Sequence, residues 1–199
     1  MSKVKAEYVT PTWYILKFVF EKPRTIFVAS PWISKEGVEF LDRLLASYDS
    51  VPSEIWTRFD VLDAISGFSD YRALLELIES HGPRRVKLRA AENLHMKVFW
   101  DGGERTLVGS CNLTGGGFAN NIEAAVLLKG NSPSITAILN EQRSKLSVVT
   151  LRELRLFVES LDDTVAIREK WTKLESDLSR LKYKRLRKER RAPPYYGLR

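Results

Sequence analysis

Cysteine is almost missing from this chain of 199 residues. Cys111 stands alone, so no intrachain disulfide can form, and no group of Cys and His has the spacing of a zinc site. The fold must therefore rest on its apolar core. Long hydrophobic runs are missing too. The longest near the start, Trp13 to Phe20, spans eight residues and contains Lys17, well short of the roughly 20 needed to cross a bilayer. No basic, apolar and small-residue regions follow one another at the N-terminus as they do in a secretory signal. The expectation is a cytoplasmic protein without a transmembrane segment.

What is present points to a folded α/β domain. A hydrophobic content of 44% supports a substantial core, with neither an internal repeat nor a second domain-sized apolar segment. The net charge of +7 is unevenly placed. Residues 165–199 hold twelve Lys/Arg against four Asp/Glu, and residues 1–164 hold twenty against twenty-one. The basicity belongs to the tail, which suggests a domain over 1–150 and a helical extension with a basic tail over 151–199.

Turn and cap signals divide the chain. Thr10-Pro11 reads as a helix start, with Trp13, Leu16 and Phe20 at helical spacing up to Pro23. Residues 25–29 form a β-branched and apolar run closed by Ser30-Pro31, a buried strand ending in a turn. Val38, Leu41, Leu44 and Leu45 give a helical stripe, and Ile55 to Asp60 a weaker strand. Ser69 opens a helix that Gly82-Pro83 ends. Strands are expected at Val86–Arg89, Leu94–Trp100, Thr106–Val108 and Ile122–Leu128, with the turn Asp101-Gly102-Gly103 joining the second to the third. Asn131, Ser132 and Pro133 begin a helix, and Thr150 with Glu153 forms a capping box for another. Strands alternating with helices indicate a layered α/β sheet.

In the stretch Leu94 to Trp100 the two-residue strand period puts Leu94, Met96, Val98 and Trp100 on one face and His95 and Lys97 on the other. The same period aligns Ser110 with Asn112 and turns Cys111 away as a small buried residue. Two neighbouring strands can thus offer an imidazole, an ammonium, a hydroxyl and an amide to one spot. That set suits a phosphodiester, with His95 as nucleophile and Lys97, Asn112 and Ser110 donating to oxygens that gain charge in the transition state. Glu123 could hold the other imidazole nitrogen and fix the reactive tautomer. The run Gly115-Gly116-Gly117 lacks the Lys-Ser/Thr ending of a phosphate loop and reads as a flexible connection.

His95-x-Lys97, Gly109-Ser110-x-Asn112 and Asn121-x-Glu123, occurring together and in this order, resemble the HKD motif of the phospholipase D superfamily, and most closely its short single-motif nucleases. The matching block covers residues 94–128, and Ser30-Pro31-Trp32-Ile33 is similar to the exit of the family's first strand. The resemblance implies a mixed β-sheet sandwiched between helices, one half of the site per chain. It also implies a phosphohistidine at His95, phosphate binding by Lys97 and Asn112 with Ser110 assisting, Glu123 orienting the histidine, and no metal or other cofactor. The family leaves four residues between its lysine and its aspartate, whereas three separate Lys97 from Asp101. Asp101 is thus either the family's structural aspartate displaced or an ordinary Asp-Gly turn residue.

A nucleophilic histidine leaves the departing alcohol without a proton and the hydrolytic water without a base. The only other histidine, His81, lies at a helix end with no lysine two positions on. A symmetric homodimer supplies the second imidazole from one gene product. In the tail, Ile167, Trp171, Leu174, Leu178 and Leu181 recur at helical spacing, followed by the cationic run Lys182, Lys184, Arg185, Arg187, Lys188, Arg190 and Arg191. Such a run fits nucleic-acid contact. The reading is a metal-independent endonuclease on DNA or RNA. Its rivals are a phospholipase D-type lipid phosphodiesterase and a non-catalytic nucleic-acid-binding module in a larger DNA-processing or restriction assembly.

Overall fold

The structure, a computed structural model, describes residues 4–162 together with 169–170, 173–174 and 176–177. In chain order the elements are β1 (Lys5–Val9), α1 (Trp13–Val19), β2 (Ile26–Ala29), α2 (Lys35–Ser47), β3 (Ser53–Thr57), α3 (Val61–Ile65), α4 (Tyr71–His81), β4 (Val86–Ala90), β5 (Val98–Trp100), β6 (Arg105–Gly109), β7 (Ala125–Lys129), α5 (Pro133–Arg143), β8 (Ser147–Val149) and α6 (Leu151–Asp162). A π-helical turn, Gly116–Asn120, lies between β6 and β7.

The strands make one mixed sheet in the order β1-β7-β6-β5-β2-β3-β4-β8. β2, β3 and β4 run parallel and every other pairing is antiparallel. Alternation along β2 sends Ile26 and Val28 into one core and Phe27 and Ala29 into another on the opposite face. The larger core holds side chains of α1, α2, α4 and α6, and the smaller one packs Leu139 of α5 against Phe27, Trp56 and Val98. Helices therefore cover both faces, the arrangement that a strand buried on both sides requires. Each large side chain fully buried here, such as Trp56, Phe27 or Phe99, contributes about 1.5–3 kcal/mol of transfer free energy.

Several boundaries differ from the sequence reading. The α1 cap is Thr12, whose side-chain oxygen accepts from the Ile15 amide at 3.2 Å, in place of Thr10. The α4 cap is Asp70, accepting from the Ala73 amide at 2.9 Å, in place of Ser69. β3 starts directly after Pro52 and ends at Thr57, two residues earlier at its start and three at its end than expected. β5 begins only at Val98, because its partner β2 ends at Ala29, which pairs with Val98, and Ser30-Pro31 then leaves the sheet. β7 begins at Ala125, so Glu123 precedes the strand. The glycine run is a packed turn, and a Cβ on Gly117 would meet the Asn112 carbonyl oxygen at 2.3 Å. β1, α3 and β8 were not anticipated.

The Thr150–Glu153 capping box is formed. Glu153 accepts from the Thr150 amide at 2.7 Å, and Thr150 Oγ1 accepts from the Glu153 amide at 3.2 Å. The Thr150 amide, together with the Thr150 hydroxyl donating to the same carboxylate oxygen at 2.7 Å, holds the Glu153 carboxyl below its ordinary value. From this cap α6 sends Leu154 and Val158 into the larger core, and Phe157 packs 4.2 Å from Phe59. Lys182, Lys184, Arg185, Arg187, Lys188, Arg190 and Arg191 lie outside the described residues, as do Ile167, Trp171, Leu178 and Leu181.

Candidate active site

The topology brings the polar motif residues to one edge of the sheet. β2 and β3 end there, β5 and β7 begin there, and β6 ends there, since Val98 pairs with both Ala29 and Val108, and Gly109 pairs with Ala125. His95 and Lys97 lie in the extended segment entering β5, where the Lys97 carbonyl still accepts from the Gly109 amide at 3.3 Å. Ser110 follows β6, its amide donating to the Ala124 carbonyl at 3.0 Å. A close approach of β6 and β7 makes this possible, because a Cβ on Gly109 would stand 2.5 Å from the Ala124 carbonyl oxygen.

Two side-chain pairs result. His95 is exposed, and Lys97 Nζ donates to its carbonyl oxygen at 3.0 Å and stands 3.2 Å from its Nδ1. Ser110 Oγ donates to Glu123 Oε2 and accepts from the Ala124 amide at 3.2 Å. Glu123 Oε1 accepts from Asn121 Nδ2 at 3.2 Å. Glu123 is thus held by Ser110 and Asn121, while the group against His95 Nδ1 is the Lys97 ammonium.

Electrostatics link the pairs. Burial pushes the Lys97 ammonium below its ordinary value, the Glu123 carboxylate works against that shift, and the Arg58 guanidinium adds to it. No motif in the sequence marks Arg58. Reading β3 as running to Asp60 placed it inside a strand, whereas β3 ends at Thr57 and delivers Arg58 to the same edge as Lys97. Cys111 is fully buried, and burial pushes its thiol up to about 12. Asn112 is 9% exposed, and its buried Oδ1 has no hydrogen-bond partner. Such an orphan costs about 1–3 kcal/mol.

The other candidates lie apart from this edge. Asp101 is at the opposite end of β5, where its Oδ1 accepts from the Gly103 amide at 2.7 Å and the Arg105 amide at 3.0 Å. Its carbonyl accepts from the Arg24 and Thr25 amides, so it fastens the hairpin to the start of β2. His81 Nε2 lies 2.8 Å from Asp42 Oδ1 and its Nδ1 3.2 Å from Arg85, joining α4 to α2. Among the described residues no three or more His, Cys, Asp or Glu side chains are gathered so that they could hold a metal ion, and no helix is long and apolar enough to cross a membrane.

No family profile matches the sequence, and no curated protein matches it. Solved structures do resemble it. The phospholipase D family member Nuc from Salmonella typhimurium superposes with a TM-score of 0.52 at 17% identity, over 74% of this chain and 97% of that one. NucT from Helicobacter pylori gives a TM-score of 0.52 at 13% identity, over 71% and 95%. Phosphatidylserine synthase from Haemophilus influenzae gives 0.55 at 14% identity, over 92% of this chain but 46% of that one. With its large mixed sheet flanked by helices, the chain has the fold of the phospholipase D family.

Proposed function

We propose that the chain is a phosphodiesterase, and specifically a metal-independent endonuclease that acts on DNA or RNA through a phosphohistidine at His95, in a site shared by two subunits. One observation carries this reading. A solvent-facing imidazole, an ammonium stripped of part of its hydration and an asparagine amide with an unpartnered oxygen are gathered at one sheet edge. The fold shared with Nuc supports it.

In this mechanism His95 Nε2 attacks phosphorus, and the N–P bond forms as the P–O bond to the leaving oxygen breaks. Attack needs a lone pair on Nε2 and hence the proton on Nδ1. The Lys97 ammonium beside Nδ1 in the free chain favours the other tautomer. An arriving phosphate draws that ammonium onto its non-bridging oxygens and frees Nδ1 to donate to Glu123. Asn112 adds a further donor to the same oxygens, and Ser110 adds another as its hydroxyl proton turns from Glu123 to the phosphate. His95 of the partner subunit protonates the leaving oxygen, then takes a proton from water, whose oxygen attacks phosphorus and breaks the N–P bond. The cationic run from Lys182 to Arg191 adds affinity for the polyanion.

The test is cleavage of labelled single-stranded and duplex DNA and RNA in EDTA, beside His95→Ala, with head-group release from liposomes measured in parallel. The proposal expects nucleic-acid cleavage that EDTA spares and His95→Ala removes. Head-group release without strand cleavage would assign the site to lipids instead, and inactivity on every substrate would point to a binding module.

A further inference from the structure

Beside the His95 edge stands a second arrangement that the hydrolytic mechanism does not use. Ser30-Pro31-Trp32-Ile33 runs along the Asn112 segment, with Ser30 Oγ accepting from the Leu113 amide at 2.9 Å and Ile33 bridged to Leu113. Trp32 is stacked on Phe68, with ring centroids 4.8 Å apart and planes 23° from parallel. The Arg58 guanidinium carbon lies 5.6 Å from the Trp32 ring centroid.

One buried residue organises all three. Asp63 is 4% exposed, and its Oδ1 accepts from the Trp32 indole at 3.0 Å and from Arg58 at 2.6 Å, while its Oδ2 accepts from Arg58 Nε at 2.9 Å. Its main-chain carbonyl accepts from the Phe68 and Ser69 amides at 3.0 and 3.2 Å. The loop is fastened again through Ile33, whose amide donates to Ser69 Oγ at 3.3 Å and whose carbonyl accepts from the Asp70 amide at 2.9 Å. Despite this fixation Phe68 remains 45% exposed. A ring held at the surface, backed by a second ring and flanked by the planar Arg58 guanidinium, is prepared for a flat ligand. The Arg58 charge also bears on Lys97, so the platform and the phosphate donors lie within electrostatic reach of each other.

We infer that the Trp32–Phe68 face, braced by Asp63 and flanked by Arg58, is a nucleotide subsite that stacks an unpaired base of the strand whose phosphate lies at His95. The inference rests on the nuclease reading and adds to it a substrate class, nucleic acid with accessible unpaired bases. Duplex bases are already stacked on their neighbours and cannot lie on the platform without being turned out.

The experiment compares a single-stranded oligonucleotide with an abasic strand of the same length, by kcat/KM for cleavage in EDTA and by Kd for the His95→Ala chain. The base-bearing strand is expected to be favoured by about 10-fold, in line with the strength of base–aromatic stacking. Phe68→Ala removes that preference, and Phe68→Tyr, which keeps a ring, retains it. Preference kept in Phe68→Ala overturns the subsite while leaving the nuclease reading intact. Dissociation of dimers by Phe68→Ala with the preference kept makes this face a subunit interface and likewise overturns it. Failure of the wild-type chain to bind or cleave either strand defeats the nuclease reading, and the subsite falls with it.

Discussion

Lys97 sits where its own charge is disfavoured, and burial is the main reason. A cation held in this way is the better donor to phosphate, because little water has to be displaced when the anion arrives. It is also the first group to fail as pH rises. Lowering the ammonium pKa means that the protonated, phosphate-binding form is lost below 10.5, the ordinary lysine value. The alkaline limb of kcat/KM is therefore expected to set in below that value, and Lys97→Met should cost about 10²–10³ in rate. Activity that stays level to the ordinary lysine value would contradict this role. At this scale the candidate set of His95, Lys97, Ser110, Asn112 and Glu123 is suggested by residue types and short spacings. Arg58 and Asp63 are not, since the partners of Asp63 include Trp32, 31 positions away, and only the folded chain joins them.

At the scale of elements, the site depends on how closely β6 and β7 approach. Gly109 permits that approach, and any side chain there collides with the chain entering β7, at 2.5 Å from the Ala124 carbonyl oxygen and 2.6 Å from the Ala125 Cβ. Gly109→Ala must separate the strands where Ser110 and Glu123 meet. The expected result is a loss of about 10-fold or more in kcat/KM together with a loss of about 1–3 kcal/mol in stability, measured by steady-state kinetics and urea unfolding. Wild-type values for both would show that the ends of these strands do not position the site. Helices with chemical punctuation, such as the Thr150–Glu153 box and Pro133 at the start of α5, could be read from sequence. β1 could not, because its residues are mostly exposed, with Tyr8 92% exposed, and its backbone pairing to β7 leaves no apolar alternation to detect. The sequence makes β5 look too long because its start is set by where β2 stops, and Ala29 lies 69 positions before its partner Val98.

At the scale of the whole molecule, the described chain carries one imidazole at the candidate site, while His81 is engaged with Asp42 and Arg85 on the helical side. The proposed chemistry needs a second imidazole, so it predicts that function is a property of the pair. When wild-type and His95→Ala chains are mixed and allowed to exchange subunits, activity should fall as the square of the wild-type fraction. A linear fall would mean that each chain works alone. The most direct test of the account is to capture the covalent intermediate. The full-length protein is reacted with a labelled oligonucleotide in EDTA, quenched under alkaline denaturing conditions that preserve N–P bonds, and digested for mass mapping. The account predicts a nucleotide phosphate attached to His95 and its loss in His95→Ala. Strand cleavage with no adduct on His95, or with an adduct on another residue, would contradict it.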